Sequence, residues 1–186
     1  MEKYRKLTPE EIAAMESHSC FAEDWNSVEV AEGFDARHVI SARFSGHIRL
    51  GAFRKEFKLA GGMTKHSGIY RATLHNVSIG DDCCIENVNN YIANYNIGDN
   101  CFIENVDIIL TDGPTSFGNG VEAAVMNETG GREVPIYDRL SAQQAYVMAL
   151  YRQRVGLQER MRAMVKDYCD SVTSDTGTIG DNVTIA

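Results

Sequence analysis

Ile79-Gly80-Asp81-Asp82-Cys83-Cys84-Ile85-Glu86-Asn87-Val88 recurs eighteen positions later as Ile97-Gly98-Asp99-Asn100-Cys101-Phe102-Ile103-Glu104-Asn105-Val106, with eight of ten residues identical. A third copy of the opening, Ile179-Gly180-Asp181-Asn182-Val183-Thr184-Ile185, follows 82 positions after the second. Self-similarity at a fixed short period dictates architecture before any other signal. Read in sixes, Thr73, Ile79, Ile85, Tyr91, Ile97, Ile103 and Ile109 share one phase, and Val77, Cys83, Asn89, Tyr95, Cys101 and Asp107 lie four further on. Gly80 and Gly98 each follow the isoleucine, where a tight corner or a close backbone approach suits a residue without Cβ.

The pattern predicts a coil of three short strands per eighteen residues. Residues eighteen apart then stack at about 4.8 Å, the spacing of hydrogen-bonded strands. Ile79/Ile97 and Ile85/Ile103 form inward aliphatic columns, and burial of each side chain contributes on the order of 1.5–3 kcal/mol. Cys83 and Cys101 take the small inward slot as core thiols rather than ligands. Asn87 and Asn105 form an amide ladder at a corner. Glu86 and Glu104 stack like charges and must meet water, arginine or lysine.

The remainder of the chain divides around this repeat. Residues 1–27 read as a capping segment, in which Thr8-Pro9-Glu10-Glu11 is a capping box that starts a helix at Pro9. Residues 28–112 read as β-coils, although Phe44 and Leu50 sit one position out of phase. Residues 113–137 form a glycine-rich excursion of a length that is usually functional or mobile. Residues 138–170 read as a helical arm. Its second capping box is Ser141-Ala142-Gln143-Gln144, its apolar stripe is Met148, Tyr151, Val155, Met161, Met164, Val165 and Tyr168, and Gly156 is the candidate break. Ile97 and Ile179 are 82 residues apart, no multiple of six, so the arm is an insertion and residues 171–186 re-enter the β-coils near Thr178. The last coil stops at Ala186 inside a hexapeptide, an expectation of either a longer chain or a covering subunit.

Composition narrows the function classes. A net charge of −8 opposes a nucleic-acid surface, which needs clustered positive charge. Arg132–Asp167 carries seven Lys/Arg against four Asp/Glu, a local +3 that leaves −11 elsewhere. That arm either packs on an acidic neighbour, lines an anion pocket, or is a solvated helix face. The five cysteines show no CxxC spacing and no signal-peptide pattern precedes them, so the expectation is a cytoplasmic protein with reduced thiols. No apolar run reaches membrane-spanning length, so no membrane span is expected.

The repeat resembles the hexapeptide-repeat, left-handed parallel β-helix superfamily, strongly over Thr73–Asp112 and as a fragment over Ile179–Ala186. Left-handed coiling is implied by that resemblance alone. Within the superfamily the chain is similar to the N-terminal part of an uncharacterised bacterial family known as a domain of unknown function. The strings carrying that similarity are Ala22-Glu23-Asp24-Trp25, Phe44-Ser45-Gly46, Ile92-Ala93-Asn94-Tyr95, Phe117-Gly118-Asn119-Gly120, Asn127-Glu128-Thr129-Gly130-Gly131-Arg132 and Ser141-Ala142-Gln143-Gln144-Ala145-Tyr146.

The superfamily resemblance implies acyl transfer from a thioester carrier, acyl-CoA or acyl carrier protein, to a nucleotide sugar or a small amine or alcohol. It also implies a homotrimer with clefts between subunits. Such chemistry needs a general base within reach of the acceptor and a donor for the oxyanion. His75, beside a corner and pointing outward next to Asn76, is the first candidate base. His66, after Gly61-Gly62, is the second and Glu128 the third. Each is equally readable as a surface residue. Arg132 offers a fork for carboxylate or phosphate, Asn127, Gly130 and Gly131 supply polar and backbone groups, and Asn94 is a further substrate contact; the same glycine loop is equally readable as a hairpin. No metal is expected: the metal-dependent carbonic-anhydrase branch of the superfamily uses three histidines, two of them five apart, and no pair here is closer than nine. The alternative is a non-catalytic ligand-binding or assembly module.

Overall fold

The computed structural model describes residues 4–124 and 130–186 and divides into two compact units, Met1–Asp112 with Thr176–Ala186, and Gly113–Asp175. The first unit is mainly β. Its elements are β1 (Tyr4–Lys6), α1 (Pro9–Ser17), β2 (Phe21–Ala22), β3 (Val28–Ala31), β4 (Val39–Leu50), β5 (Glu56–Lys58), β6 (Thr64–His66), β7 (Gly68–Ile79), β8 (Cys84–Glu86), β9 (Tyr91–Ile97), β10 (Phe102–Glu104) and β11 (Ile108–Leu110). The second unit holds β12 (Val121–Ala123), β13 (Val134–Ile136), α2 (Ala142–Leu150) and α3 (Val155–Val172), after which the chain returns to the first unit as β14 (Gly177–Ile179) and β15 (Thr184–Ile185).

Eleven strands of the first unit share one sheet among the described residues, and its repeat strands all pair in parallel. Ile85 pairs with Ile103 and Ile79 with Ile97, so residues eighteen apart lie on neighbouring rungs. The third copy completes the columns: Ile179 pairs with Ile97 and Ile185 with Ile103. Ile79, Ile85 and Ile103 are fully buried and Ile97 is 4% exposed, which makes these columns the core.

Six-residue phasing holds only on average. Leu74 and Ile92, both fully buried, occupy the inward positions assigned to Thr73 and Tyr91, and Tyr91 is exposed. The cause is local. Val88 also turns inward, so seven residues separate Ile85 from Ile92, and only five separate Ile92 from Ile97. The long step and the short step cancel, and eighteen survives. Upstream, Val39 pairs with Ile69, thirty residues away. The extra twelve form the β5–β6 hairpin, whose base is closed where Ser67 N donates to Lys55 O at 2.7 Å and Lys55 N donates to Ser67 Oγ at 3.0 Å. Phe44 pairs with Leu74 at the same offset of thirty, whereas Leu50 pairs with Ile79 twenty-nine residues on, after a register shift between Ser45 and Ile48; both are buried.

Corners repeat as faithfully as the core. Gly51, Gly80, Gly98 and Gly180 form a column in which a Cβ on Gly51 would meet Gly80 O at 2.3 Å, and one on Gly80 would meet Asp99 Oδ1 at 2.3 Å. Each aspartate that follows accepts a backbone N–H from the rung before it: Ala52 N to Asp81, Asp81 N to Asp99 and Asp99 N to Asp181, all at 2.8 Å. Asn87 Nδ2 donates to Asn105 Oδ1 at 3.2 Å, the expected ladder. The stacked carboxylates of Glu86 and Glu104 are bridged by Lys65 Nζ at 2.5 and 3.1 Å, and Arg71 also pairs with Glu86. At the first rungs, β1 runs antiparallel to β3, and α1 buries Met15 behind its complete Thr8–Glu11 capping box. The β1 pairing occupies an edge of β3 that would otherwise template strand addition.

Cys83 and Cys101 are fully buried, and their thiols donate to the carbonyls of Gly98 and Gly180 at 3.0 and 3.1 Å. Burial pushes the Cys83 thiol up to about 12 and the Cys84 thiol to about 11. A thiol in the unfolded chain ionises near its ordinary value of about 8.5. The stabilisation is therefore complete below that pH and is lost as pH rises toward 11–12, by up to about 1.4 kcal/mol per pH unit for each thiol. The expected result is a urea midpoint that is level from pH 7 to 8.5 and declines from pH 9 to 11, with a shallower decline in Cys83→Ala.

In the second unit β12 and β13 pair antiparallel, and α2 carries the full Ser141–Gln144 capping box. The helical segment breaks at Tyr151–Arg154, and Gly156 sits inside the first turn of α3. Met148 and Val165 from the apolar stripe are buried beside Val134 and Tyr137, whereas Tyr151, Val155 and Met164 are exposed. No described helix is long and apolar enough to cross a membrane.

Candidate functional site

One corner of the first unit collects polar side chains into a directed chain. Gly46, Asn76 and Asn94 share it, with φ of 62°, 52° and 56°, the left-handed region that glycine and asparagine tolerate best. His47 N donates to Asn76 Oδ1 at 2.9 Å, Asn76 Nδ2 donates to Asn94 Oδ1 at 3.2 Å, and Asn94 Nδ2 donates to Thr111 O at 2.9 Å. All the amides point the same way, an arrangement in which hydrogen bonds polarise one another.

His75 stands beside this ladder, exposed within β7 and next to the left-handed Asn76. Its Nδ1 lies 2.8 Å from Ser45 Oγ and its Nε2 lies 3.0 Å from Asn76 Nδ2. The ladder decides its tautomer. Because His47 N can only donate, Asn76 Oδ1 must face it, which turns the Asn76 amide nitrogen toward His75. Nε2 therefore accepts, Nδ1 carries the proton, and Nδ1–H donates to Ser45 Oγ. That is the form in which a histidine acts as a base through Nε2 while the other nitrogen is held by an acceptor. Nearby, Glu29 gathers Lys6 at 2.9 Å, Arg49 at 3.1 Å and His47 at 3.5 Å. Hydrogen bonds from the Lys6 ammonium and then the Arg49 guanidinium draw Glu29 below the ordinary carboxylate range.

His66 goes elsewhere. Its Nδ1–H donates to Ser67 O at 2.7 Å, and its ring stacks on His38 at 3.7 Å between centroids and 9° between planes. Burial, then the neighbouring His66 ring, holds His38 below the ordinary histidine range, while Asp35 at 3.9 Å pulls the other way. The structure thus places His75 and His66 in separate clusters. Asn94 is engaged at both ends of its amide within the ladder rather than left open for substrate. The His38–His66 stack is invisible in the sequence, because it joins the base of the β5–β6 hairpin to a turn twenty-eight residues away.

The other candidates lie in the second unit. Gly130 and Gly131 have φ of 75° and 85°. Gly131 N donates to the Glu133 carboxylate at 3.0 and 3.1 Å, so this backbone donor is already used. Arg132 is exposed. Asn127 and Glu128 lie outside the described residues. Sequence reasoning did not find a cleft of about 350 Å³ in this unit, lined by Gly120, Glu122, Arg162, Val165, Lys166 and Cys169. Its cations are internally paired: Arg162 with Glu122 and with Glu133 O, and Lys166 with Asp170 at 2.5 Å. Among the described residues no three His, Cys, Asp or Glu side chains converge as a metal site would require.

Comparison with known proteins adds lineage but no activity. Residues 4–186 match the family described as domain of unknown function (DUF4954). The chain is 28% identical over 187 residues to an uncharacterized protein of Treponema pallidum (strain Nichols), covering 95% of this chain and 26% of that protein. It thus spans about a quarter of the length of the relative it matches. No solved structure matches.

Proposed function

This chain belongs to the DUF4954 family, and from that premise we propose that its parallel rungs wind as a left-handed β-helix of the hexapeptide-repeat kind, bearing an acyltransferase-like site at the His75 corner. The observation that carries the reading is the pair of contacts His75 Nδ1–Ser45 Oγ at 2.8 Å and His75 Nε2–Asn76 Nδ2 at 3.0 Å, from which the tautomer is assigned. Ser45 orients the ring through Nδ1–H, and the Nε2 lone pair stands at an exposed corner. An acceptor hydroxyl or amine displaces Asn76 from Nε2 and gives it a proton as its oxygen or nitrogen attacks a thioester carbonyl. The Asn76 N–H freed by that displacement is the donor available to the oxyanion. As the C–S bond breaks, the Nε2 proton passes to the departing thiolate, and the base is restored. The donor is an acyl-CoA or acyl carrier protein and the acceptor a nucleotide sugar or a small amine or alcohol, in a cytoplasmic homotrimer.

Transfer from acetyl-CoA to a panel of amino sugars and amines, followed by release of free thiol, tests this. A general base contributes about 10²–10⁴-fold, so His75→Ala must lower the rate by at least the smaller factor, and Ser45→Ala less. Unchanged turnover in His75→Ala removes the assignment. A second reading has an observation of its own. The Asn76 and Asn94 amides and both His75 nitrogens already have internal partners, as in a rigid module that binds or assembles rather than catalyses. Thermal stabilisation by acyl-CoA or nucleotide sugars supports the enzyme; concentration-dependent assembly without such a response supports the module.

A further inference from the structure

Every residue from Leu150 to Leu157 is exposed, the longest such run among the described residues. The run joins α2 to α3, and it is not the polar stretch that a solvated turn carries. Leu150, Tyr151, Val155 and Leu157 are 53%, 38%, 63% and 38% exposed, and Tyr146, just upstream on α2, is 56% exposed. Large apolar groups gathered on one surface mark an interaction site.

The corner is held firmly. Tyr151 N donates to Val147 O at 3.0 Å, Gln158 Nε2 donates to the same carbonyl at 3.2 Å, and Leu157 N donates to Arg154 O at 2.9 Å. The Tyr146 and Tyr151 rings lie 6.1 Å apart between centroids. A hollow of about 310 Å³ opens against them, bounded also by Val147, Arg154 and Leu157. Neither tyrosine hydroxyl has a hydrogen-bond partner among the described residues.

Positive charge gathers at the same place. Between Asp138 and Asp167 the only acid is Glu159, against Arg139, Arg152, Arg154, Arg160, Arg162 and Lys166, so six cations face one carboxylate in a chain of net charge −8. Arg162 pairs with Glu122, Lys166 pairs with Asp170, and Arg139 lies over the Tyr168 ring. Arg152, Arg154 and Arg160 are exposed and make no ion pair among the described residues.

We propose that this corner docks on the surface of a lipid bilayer rich in anionic headgroups. Its apolar side chains enter the boundary between headgroups and acyl chains, as the apolar face of an interfacial helix does. The tyrosines, apolar in the ring and unpartnered at the hydroxyl, sit at the wet edge of that boundary. The three arginines lay their stems on apolar surface and reach phosphate oxygens with their guanidinium groups. A folded protein or peptide shaped to the hollow would leave Leu150 and Val155 in water, since neither lines it. Lipids conform to a surface that is part hollow and part ridge. At physiological ionic strength charges beyond about 8 Å are screened, so the headgroups meet the local cations and not the acidic remainder of the chain. The contact is peripheral, and no described helix needs to cross the bilayer. This inference is independent of any activity at His75.

Co-sedimentation of the 186-residue chain with vesicles tests it, using phosphatidylcholine alone and an equal mixture of phosphatidylcholine with phosphatidylglycerol. The expected result is binding to the mixed vesicles and at least about 100-fold weaker binding to phosphatidylcholine, because each cation near an anionic surface is worth roughly fivefold. Arg152→Gln, Arg154→Gln and Arg160→Gln together lower affinity for the mixed vesicles by about the same factor, whereas lysine at the three positions keeps it. Leu150→Glu with Val155→Glu abolishes binding to both vesicles. All these positions are exposed, so each variant melts where the parent does. The proposal is overturned if the parent ignores vesicles, if it binds both kinds equally, or if the glutamine variant keeps its affinity. It is equally overturned if the parent self-associates through Val155 or takes up an acidic helical peptide while leaving the mixed vesicles unbound.

Discussion

Gly51→Ala is expected to destabilise the first unit by about 3 kcal/mol, at the upper end of what overpacking usually costs. The new Cβ would lie 2.3 Å from Gly80 O, 2.4 Å from Gly80 C and 2.7 Å from Asp81 N. All three are backbone atoms of the next rung, so no side chain can swing aside. Relief requires the rungs to separate, which lengthens the Gly51 N to Ile79 O hydrogen bond of 2.9 Å and loosens the Ala52 N to Asp81 bond of 2.8 Å. Gly61→Ala is the control in the same unit. Nothing lies within 4 Å of its Cβ, so the cost there is only that of its φ of 79°, about 1 kcal/mol. Urea titration of both variants, followed by a probe in the first unit, measures the difference. Equal costs for the two would mean that rungs do not approach at Gly51 as closely as described.

Ile85→Ala is expected to cost about 2–5 kcal/mol, the range for deleting a buried aliphatic side chain. Ile85 lies in the middle of the column Ile69, Ile85, Ile103, Ile185, and the first three are fully buried. A cavity with a rung on both sides collapses poorly, which favours the upper half of that range. Ile185→Ala, at the half-buried end of the same column, is expected to cost clearly less. The pair Ile85→Ala and Ile103→Ala should also depart from additivity, because the two share one contact. A column in which Ile185 matters as much as Ile85 would contradict the burial gradient.

The sequence made the eighteen-residue period readable because stacking selects like residues. Isoleucine on isoleucine, glycine under glycine and asparagine beside asparagine leave identities that a single chain displays. What it hid were the local departures, such as Ile69 pairing with Ile85 sixteen residues on and Ile92 with Ile109 seventeen residues on. The seven-then-five spacing around Ile92 cancels within one turn, so Tyr91 looked inward when Ile92 is; Leu74, paired with Ile92, takes the inward place expected of Thr73. The β5–β6 hairpin adds twelve residues, two sixes, and shifts no phase; Phe44 looked displaced because it pairs with Leu74, and Leu50 because a register shift between Ser45 and Ile48 sets it twenty-nine residues before Ile79. At the candidate site, His75 was visible as an outward histidine near a corner. Its tautomer was not, because that depends on Asn76, His47 and Ser45 meeting across a thirty-residue offset. Asn76 and Asn94 did leave a trace, two asparagines eighteen apart, the same mark that revealed Asn87 and Asn105. In the second unit no repeat exists, and the pairing of Gly131 with Glu133 and of Arg162 with Glu122 follows from folding that periodicity does not report.

Hydrogen bonds between rungs can be observed one at a time, as scalar couplings across them in a labelled sample. The account predicts correlations from the amide nitrogens of Gly51, Gly80 and Gly98 to the carbonyl carbons of Ile79, Ile97 and Ile179 respectively, and from Cys84 to Cys101. Couplings from those same amides to any other carbonyls would mean that the repeated segments are not neighbours in the fold, and the corner that holds His75 would have no basis.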